Sequence, residues 1–202
     1  MKLIMENWRK YFVESNKETS EQAIERKLKR LLSTDQNQFM ELLPATDKPL
    51  EHFLQPLGFE GILRLVTNKQ AASPEILSAV FEAAQEPQED EERSWLRVDP
   101  WERRHLRNRV GQNPSTPPSI LWNLLDDPGT RVGMTMNKAA PPEILDKMAR
   151  MTKDYHRNIV NNPNTSLETL KFISKEHEGD DESWTDFWAN KEIERRKRSL
   201  AI

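Results

Sequence analysis

The densest concentration of residues with recognisable chemistry is 93–109, where Arg93, Arg97, Arg103, Arg104, Arg107 and Arg109 alternate with Trp95 and Trp101. Guanidinium groups pair with phosphates and indole rings stack on bases, so this composition points to single-strand or RNA contact. The bland alternative is a helix whose arginines face water while its tryptophans help bury a neighbouring insertion. Asp99 and Glu102 dilute the patch, and the run Glu86–Glu92 beside it, with five acids in seven residues, is able to neutralise it internally.

A second cluster, Trp184, Phe187 and Trp188, has helical spacing near the C-terminal end. Such residues either dock a terminal helix onto what precedes it or stay exposed as an anchor for a partner, since aromatic side chains dominate interface energetics. The following Arg195–Arg198 run reads as a solvated helix end favoured by the helix dipole.

Catalysis finds little to work with. No glycine-rich phosphate loop, G-x-S-x-G elbow or H-E-x-x-H pair occurs. His52, His105, His156 and His177 are widely separated, and His105 and His156 fall in different registers of the repeat described below. His177 lies among Glu178, Asp180 and Asp181 without the spacing of a calcium loop, which reads as a solvated acidic segment. With no cysteine, disulfides, thiolate chemistry and cysteine-held zinc or iron–sulfur sites are excluded. The expectation is a non-enzyme with no cofactor, no metal site and no small-molecule substrate.

The elements that must position these residues are written in a repeat. Asn113-Pro-Ser-Thr-Pro-Pro-Ser-Ile-Leu121 is followed by Asn137-Lys-Ala-Ala-Pro-Pro-Glu-Ile-Leu145 and Asn162-Pro-Asn-Thr-Ser-Leu-Glu-Thr-Leu170. The asparagine recurs after 24 and then 25 residues, with a leucine eight residues after each, a period in the range of stacked-repeat architectures. An earlier copy runs from Asn68 to Leu77, and the 45 residues between Asn68 and Asn113 imply an insertion near 86–98.

Within a copy, Pro117-Pro118 and Pro141-Pro142 sit where a helix starts, because proline suits the first turn. Thr116 is positioned to cap one helix, and Thr165 with Glu168 has capping-box spacing. Stacking the copies predicts core columns Leu77, Leu121, Leu145, Leu170 and Val80, Leu124, Met148, Ile173. A short helix before each asparagine is expected to bury Val110, Met134 and Ile159. The asparagines themselves are expected to satisfy backbone groups where the chain turns.

Before the repeat, apolar spacing predicts helices at about 2–13, from Ser20, over 35–43 ending at Pro44, and after a cap at Asp47. The chain is 36% hydrophobic and 31% charged, with a net charge of −3. Its mean hydropathy is −0.83. A thin stack with much surface per residue accounts for that polarity. No apolar run approaches the ~18 residues needed to span a bilayer, so a cytoplasmic location without membrane contact is expected.

The repeat grammar resembles the leucine-rich repeat variant family. The resemblance covers about 105–174 well and 61–84 weakly. It implies a right-handed superhelix that pairs an α-helix with a 3-10 helix in each unit, and it carries no catalytic residue. More locally, Met1–Arg9 resembles the leader of some tailed-phage proteins, and Ile4-Met5-Glu6 fits a prohead-protease cleavage pattern. That resemblance implies a phage-derived structural or virion-associated protein.

The expected architecture is therefore all-α: an N-terminal helical cap over 1–58, a variant-repeat solenoid over 59–175, and an acidic loop with an amphipathic helix over 176–202. The function it implies is a scaffold for protein–protein interaction. Nucleic-acid association through 93–109 is the chief alternative.

Overall fold

A computed structural model describes residues 20–68, 72–85, 95–178 and 184–200, and every regular element among them is helical. The predicted first helix, the leader-like stretch, the acidic run 86–92 and most of the acidic loop before Trp184 lie outside the described residues. The chain divides into two compact units between Pro56 and Leu57.

In the first unit, α1 (Ser20–Thr34), α2 (Gln36–Leu42) and α3 (Leu50–Leu54) bury Leu28, Leu32, Phe39, Phe53 and Leu54. Phe39 meets Phe53 edge-on, with ring centroids 5.7 Å apart. Asp35 caps α2 by accepting from the Gln38 amide at 3.1 Å. Asp47 does not cap α3, as its spacing had suggested: the N-cap is Pro49, and no side chain bonds there. Glu25 receives Lys29 at 2.8 Å and His52 at 3.2 Å as well as Lys48. Those partners, Lys29 foremost, hold its carboxyl down at about 2.

The second unit carries α4 (Gly58–Thr67), α5 (Pro74–Ala83), α6 (Pro100–Gln112), α7 (Pro118–Leu124), α8 (Arg131–Met136), α9 (Pro142–Met151), α10 (His156–Val160), α11 (Leu167–Glu176) and α12 (Thr185–Leu200). A 3-10 turn, Lys153–Tyr155, leads into α10. Proline stands at the first position of α5, α6, α7 and α9. There its missing N–H costs no helical bond and its fixed φ suits the first turn. Every residue of the two expected leucine-type columns is buried, as are Val110, Met134 and Ile159.

The asparagines bond in one pattern. Asn113 Nδ2 donates to Val66 O at 2.8 Å and Asn68 O at 3.4 Å. Asn137 Nδ2 donates to Gly111 O at 3.0 Å and Asn113 O at 2.8 Å. Asn162 Nδ2 donates to Thr135 O at 2.9 Å and Asn137 O at 2.8 Å. Each thus reaches the preceding asparagine's carbonyl and the one two residues before it. Each Oδ1 accepts the amide two residues on, from Ser115, Ala139 or Asn164. The pattern survives the 45-residue gap between Asn68 and Asn113. A buried amide with its donors and acceptor engaged avoids the desolvation penalty of an unmade bond.

Two expected caps are replaced. Thr116 is buried and donates to Val110 O, while Thr165 donates to Ile159 O, so both hydroxyls tie the turn to the helix before it. The N-cap of α7 is Pro117, without a side-chain bond. That of α11 is Ser166, which accepts from the Thr169 amide at 2.9 Å. One glycine is required by close approach: a Cβ on Gly133 would lie 2.1 Å from Asn108 O, where α8 meets α6.

Candidate functional site

The arginines of 95–109 divide by what they reach. Asp99 and Glu102 bond reciprocally to each other's amides at 2.8 and 2.9 Å, a capping box that starts α6. Arg103 donates to Val98 O at 3.1 Å and Gln85 O at 2.9 Å. Arg107 donates to Ala84 O at 3.1 Å and pairs with Asp127 Oδ2 at 2.9 Å. These two guanidinium groups therefore serve carbonyls at the end of α5, where a helix leaves acceptors unsatisfied. Arg109 donates to Gln112 Oε1 at 3.0 Å.

Arg97 and Arg104 are exposed, Trp95 is half-buried, and Arg93 lies outside the described residues. Trp101 is 66% exposed and stacks on His105, with ring centroids 5.1 Å apart and 5° between planes. So the spacing grouped eight residues, whereas the fold leaves Arg97, Trp101 and Arg104 facing outward. Arg103 and Arg107 are turned to carbonyls.

The C-terminal helix divides differently. α12 packs along α11 and α10, burying Ala189 and Ile193. Asp186 accepts from Ser174 Oγ at 2.6 Å. Arg196 donates to Asn162 O at 3.1 Å and to Thr165 O, so it takes the acceptor that a further asparagine copy would take. It is half-buried rather than the solvated residue the Arg195–Arg198 run had suggested. Glu192 clamps both Arg195 and Arg196, at 2.6 and 2.7 Å. The two guanidinium groups, Arg195 first, hold its carboxyl at about 2.

The aromatic side chains are not what docks this helix. Trp184, Phe187 and Trp188 are 73%, 52% and 45% exposed. They meet edge-on in sequence, at 6.0 Å between Trp184 and Phe187 and 5.3 Å between Phe187 and Trp188. Lys191 Nζ sits 4.7 Å above the Trp188 ring. Trp188 lines a groove of ≈ 840 Å³ between α12 and the Val160–Pro163 turn, whose charged lining is mixed, with Glu192 and Glu194 beside Lys191 and Arg195.

One pair went unread in the sequence. His156 Nδ1 lies 2.9 Å from His177 Nε2, and His156 Nε2 lies 2.7 Å from Ala149 O, with both side chains buried. A signal existed in the position six residues before each of the last three asparagines. It holds Arg107, Arg131 and His156, each donating to a carbonyl just beyond or near the end of an earlier helix. His177 obeys no such register, so the pairing was invisible to periodicity.

Among the described residues no three His, Asp or Glu side chains gather as a metal-binding group. No described helix is long and apolar enough to cross a membrane. Comparison with protein-family models, with curated proteins and with solved structures gives no match.

Proposed function

We propose that this chain is a non-catalytic helical-repeat scaffold whose C-terminal helix presents an aromatic anchor to a protein partner. The observation that carries this reading is the orientation of α12. Ala189, Ile193 and Arg196 hold it in place, while Trp184, Phe187 and Trp188 are left outward, Trp188 along the wall of a groove. Large rigid aromatic side chains of this kind form the energetic centre of protein interfaces. The occupant proposed is an amphipathic segment whose apolar face meets these rings.

The repeat itself supplies the support. Its asparagines spend their amides on the preceding copy, and its leucines fill shared columns, which favours a short solenoid of the leucine-rich repeat variant kind. Affinity capture from the native source, with and without nuclease, tests the functional reading. A protein partner retained after nuclease and lost with Trp184→Ala/Phe187→Ala/Trp188→Ala is the expected result. Capture that disappears with nuclease would contradict it.

A second reading keeps one specific observation in its favour: exposed Trp101 flanked by exposed Arg97 and Arg104. It requires a salt-dependent mobility shift of single-stranded nucleic acid that Trp101→Ala/Arg104→Ala abolishes. Absence of binding at low salt ends it.

A further inference from the structure

We propose that the groove beside α12 is an unfilled rung of the asparagine ladder, which receives a polypeptide segment through an asparagine or glutamine side-chain amide donating to Val160 O. The inference rests on the docking role proposed for α12 and specifies the chemistry of its partner.

The internal rungs show what this position takes. The carbonyl two residues before each asparagine is met by the next asparagine's Nδ2. Val66 O takes Asn113 at 2.8 Å, Gly111 O takes Asn137 at 3.0 Å, and Thr135 O takes Asn162 at 2.9 Å. The same Nδ2 also reaches the carbonyl of the preceding asparagine. One rung shows a third acceptor: Ala140 O, three residues after Asn137, takes Asn164 Nδ2 at 3.2 Å.

At the last rung Arg196 stands in for two of these donors and not for the third. Its guanidinium donates to Asn162 O at 3.1 Å and to Thr165 O, the counterparts of Asn137 O and Ala140 O. Val160 O is the counterpart of Thr135 O, and no donor among the described residues reaches it. The chain cannot fill it locally. Pro163, three residues on, has no N–H, and the Asn164 amide is spent on Asn162 Oδ1. Val160 is buried and lines the groove. A buried carbonyl without a donor carries a desolvation cost that an incoming N–H removes.

The neighbours decide which donor fits. A carboxylate only accepts, so it makes no bond to a carbonyl at neutral pH. A second cation would meet Arg196, which already holds the adjacent Asn162 O. A neutral planar amide avoids both problems, and it is the group used at every internal rung. The residues flanking that amide then lie against Trp188, the aromatic wall of the groove.

The test uses the full wild-type chain, labelled for NMR, so no variant of it needs to fold. The probe is a synthetic peptide of residues 131–145, which carries Asn137 in the turn sequence of an internal rung. At millimolar peptide the Val160 carbonyl carbon should move downfield, as a carbonyl does on accepting a hydrogen bond, together with the Trp188 indole signals. The Asn137→Leu peptide, similar in shape but without the donor, should bind about fivefold more weakly, the worth of one neutral hydrogen bond, and leave Val160 in place. Equal binding of the two peptides, binding that does not move Val160, or no binding of either would overturn the open rung. The aromatic anchor fails on a different result, partner capture that survives Trp184→Ala/Phe187→Ala/Trp188→Ala.

Discussion

At the scale of single residues, polar side chains are consumed by backbone. Asn137 is the clearest case, bonded to Gly111 O and Asn113 O while accepting the Ala139 amide. Asn137→Ala leaves those groups short of partners in a dry place. It should cost about 2–3 kcal/mol of stability, measured by denaturant unfolding, given ~1–3 kcal/mol for an unsatisfied buried group. A loss below about 0.5 kcal/mol would mean that water replaces the amide.

How much of this the sequence disclosed depended on whether a residue obeyed the period. The asparagine, proline and leucine positions were legible because each recurs with the same neighbours and repeats the same physical problem. Thr116 and Thr165 were misread for a local reason. Both lie just before a helix start, yet their hydroxyls turn back to Val110 O and Ile159 O, and Ser166 caps instead of Thr165. His177 and Arg196 were illegible because each acts once, across elements, at the end of the array. Nothing in a single chain's spacing distinguishes Arg196 from its neighbours Arg195 and Lys197, which are exposed.

At the scale of elements, α12 is held by apolar contact, by the Ser174–Asp186 hydrogen bond and by Arg196. Arg196 takes the carbonyl of Asn162 and is steadied by Glu192. Arg196→Ala should therefore loosen α12 selectively. Proteolysis ought to release the C-terminal helix at least several-fold faster, while 106–160 keeps its protection from hydrogen exchange. Unchanged cleavage would show that Ala189 and Ile193 suffice. The orientation of α12 could not be read from its pattern, because small Ala189 rather than a large aromatic residue is the fully buried position. Amphipathicity assigns the buried face to the bulkiest side chains, and here the bulkiest are outward.

At the scale of the whole molecule, the repeat positions of the second unit are buried at matching places, and the solenoid proposed above would join them into columns. Leu145 is buried in one of them. Leu145→Asp places a charge where none can be solvated, and neighbouring copies should melt with it in one transition. An unchanged melting temperature would refute the column.

The proposed function divides the labour, assigning the stack to the repeated residues and the binding to the C-terminal helix. It is tested most directly by one paired measurement, melting temperature and nuclease-resistant partner capture, on Asn137→Ala and on Trp184→Ala/Phe187→Ala/Trp188→Ala. The expected result is that Asn137→Ala melts lower but captures normally below its transition, while the triple variant melts like the wild type and captures nothing. Capture that is lost in folded Asn137→Ala and kept in the triple variant would contradict it.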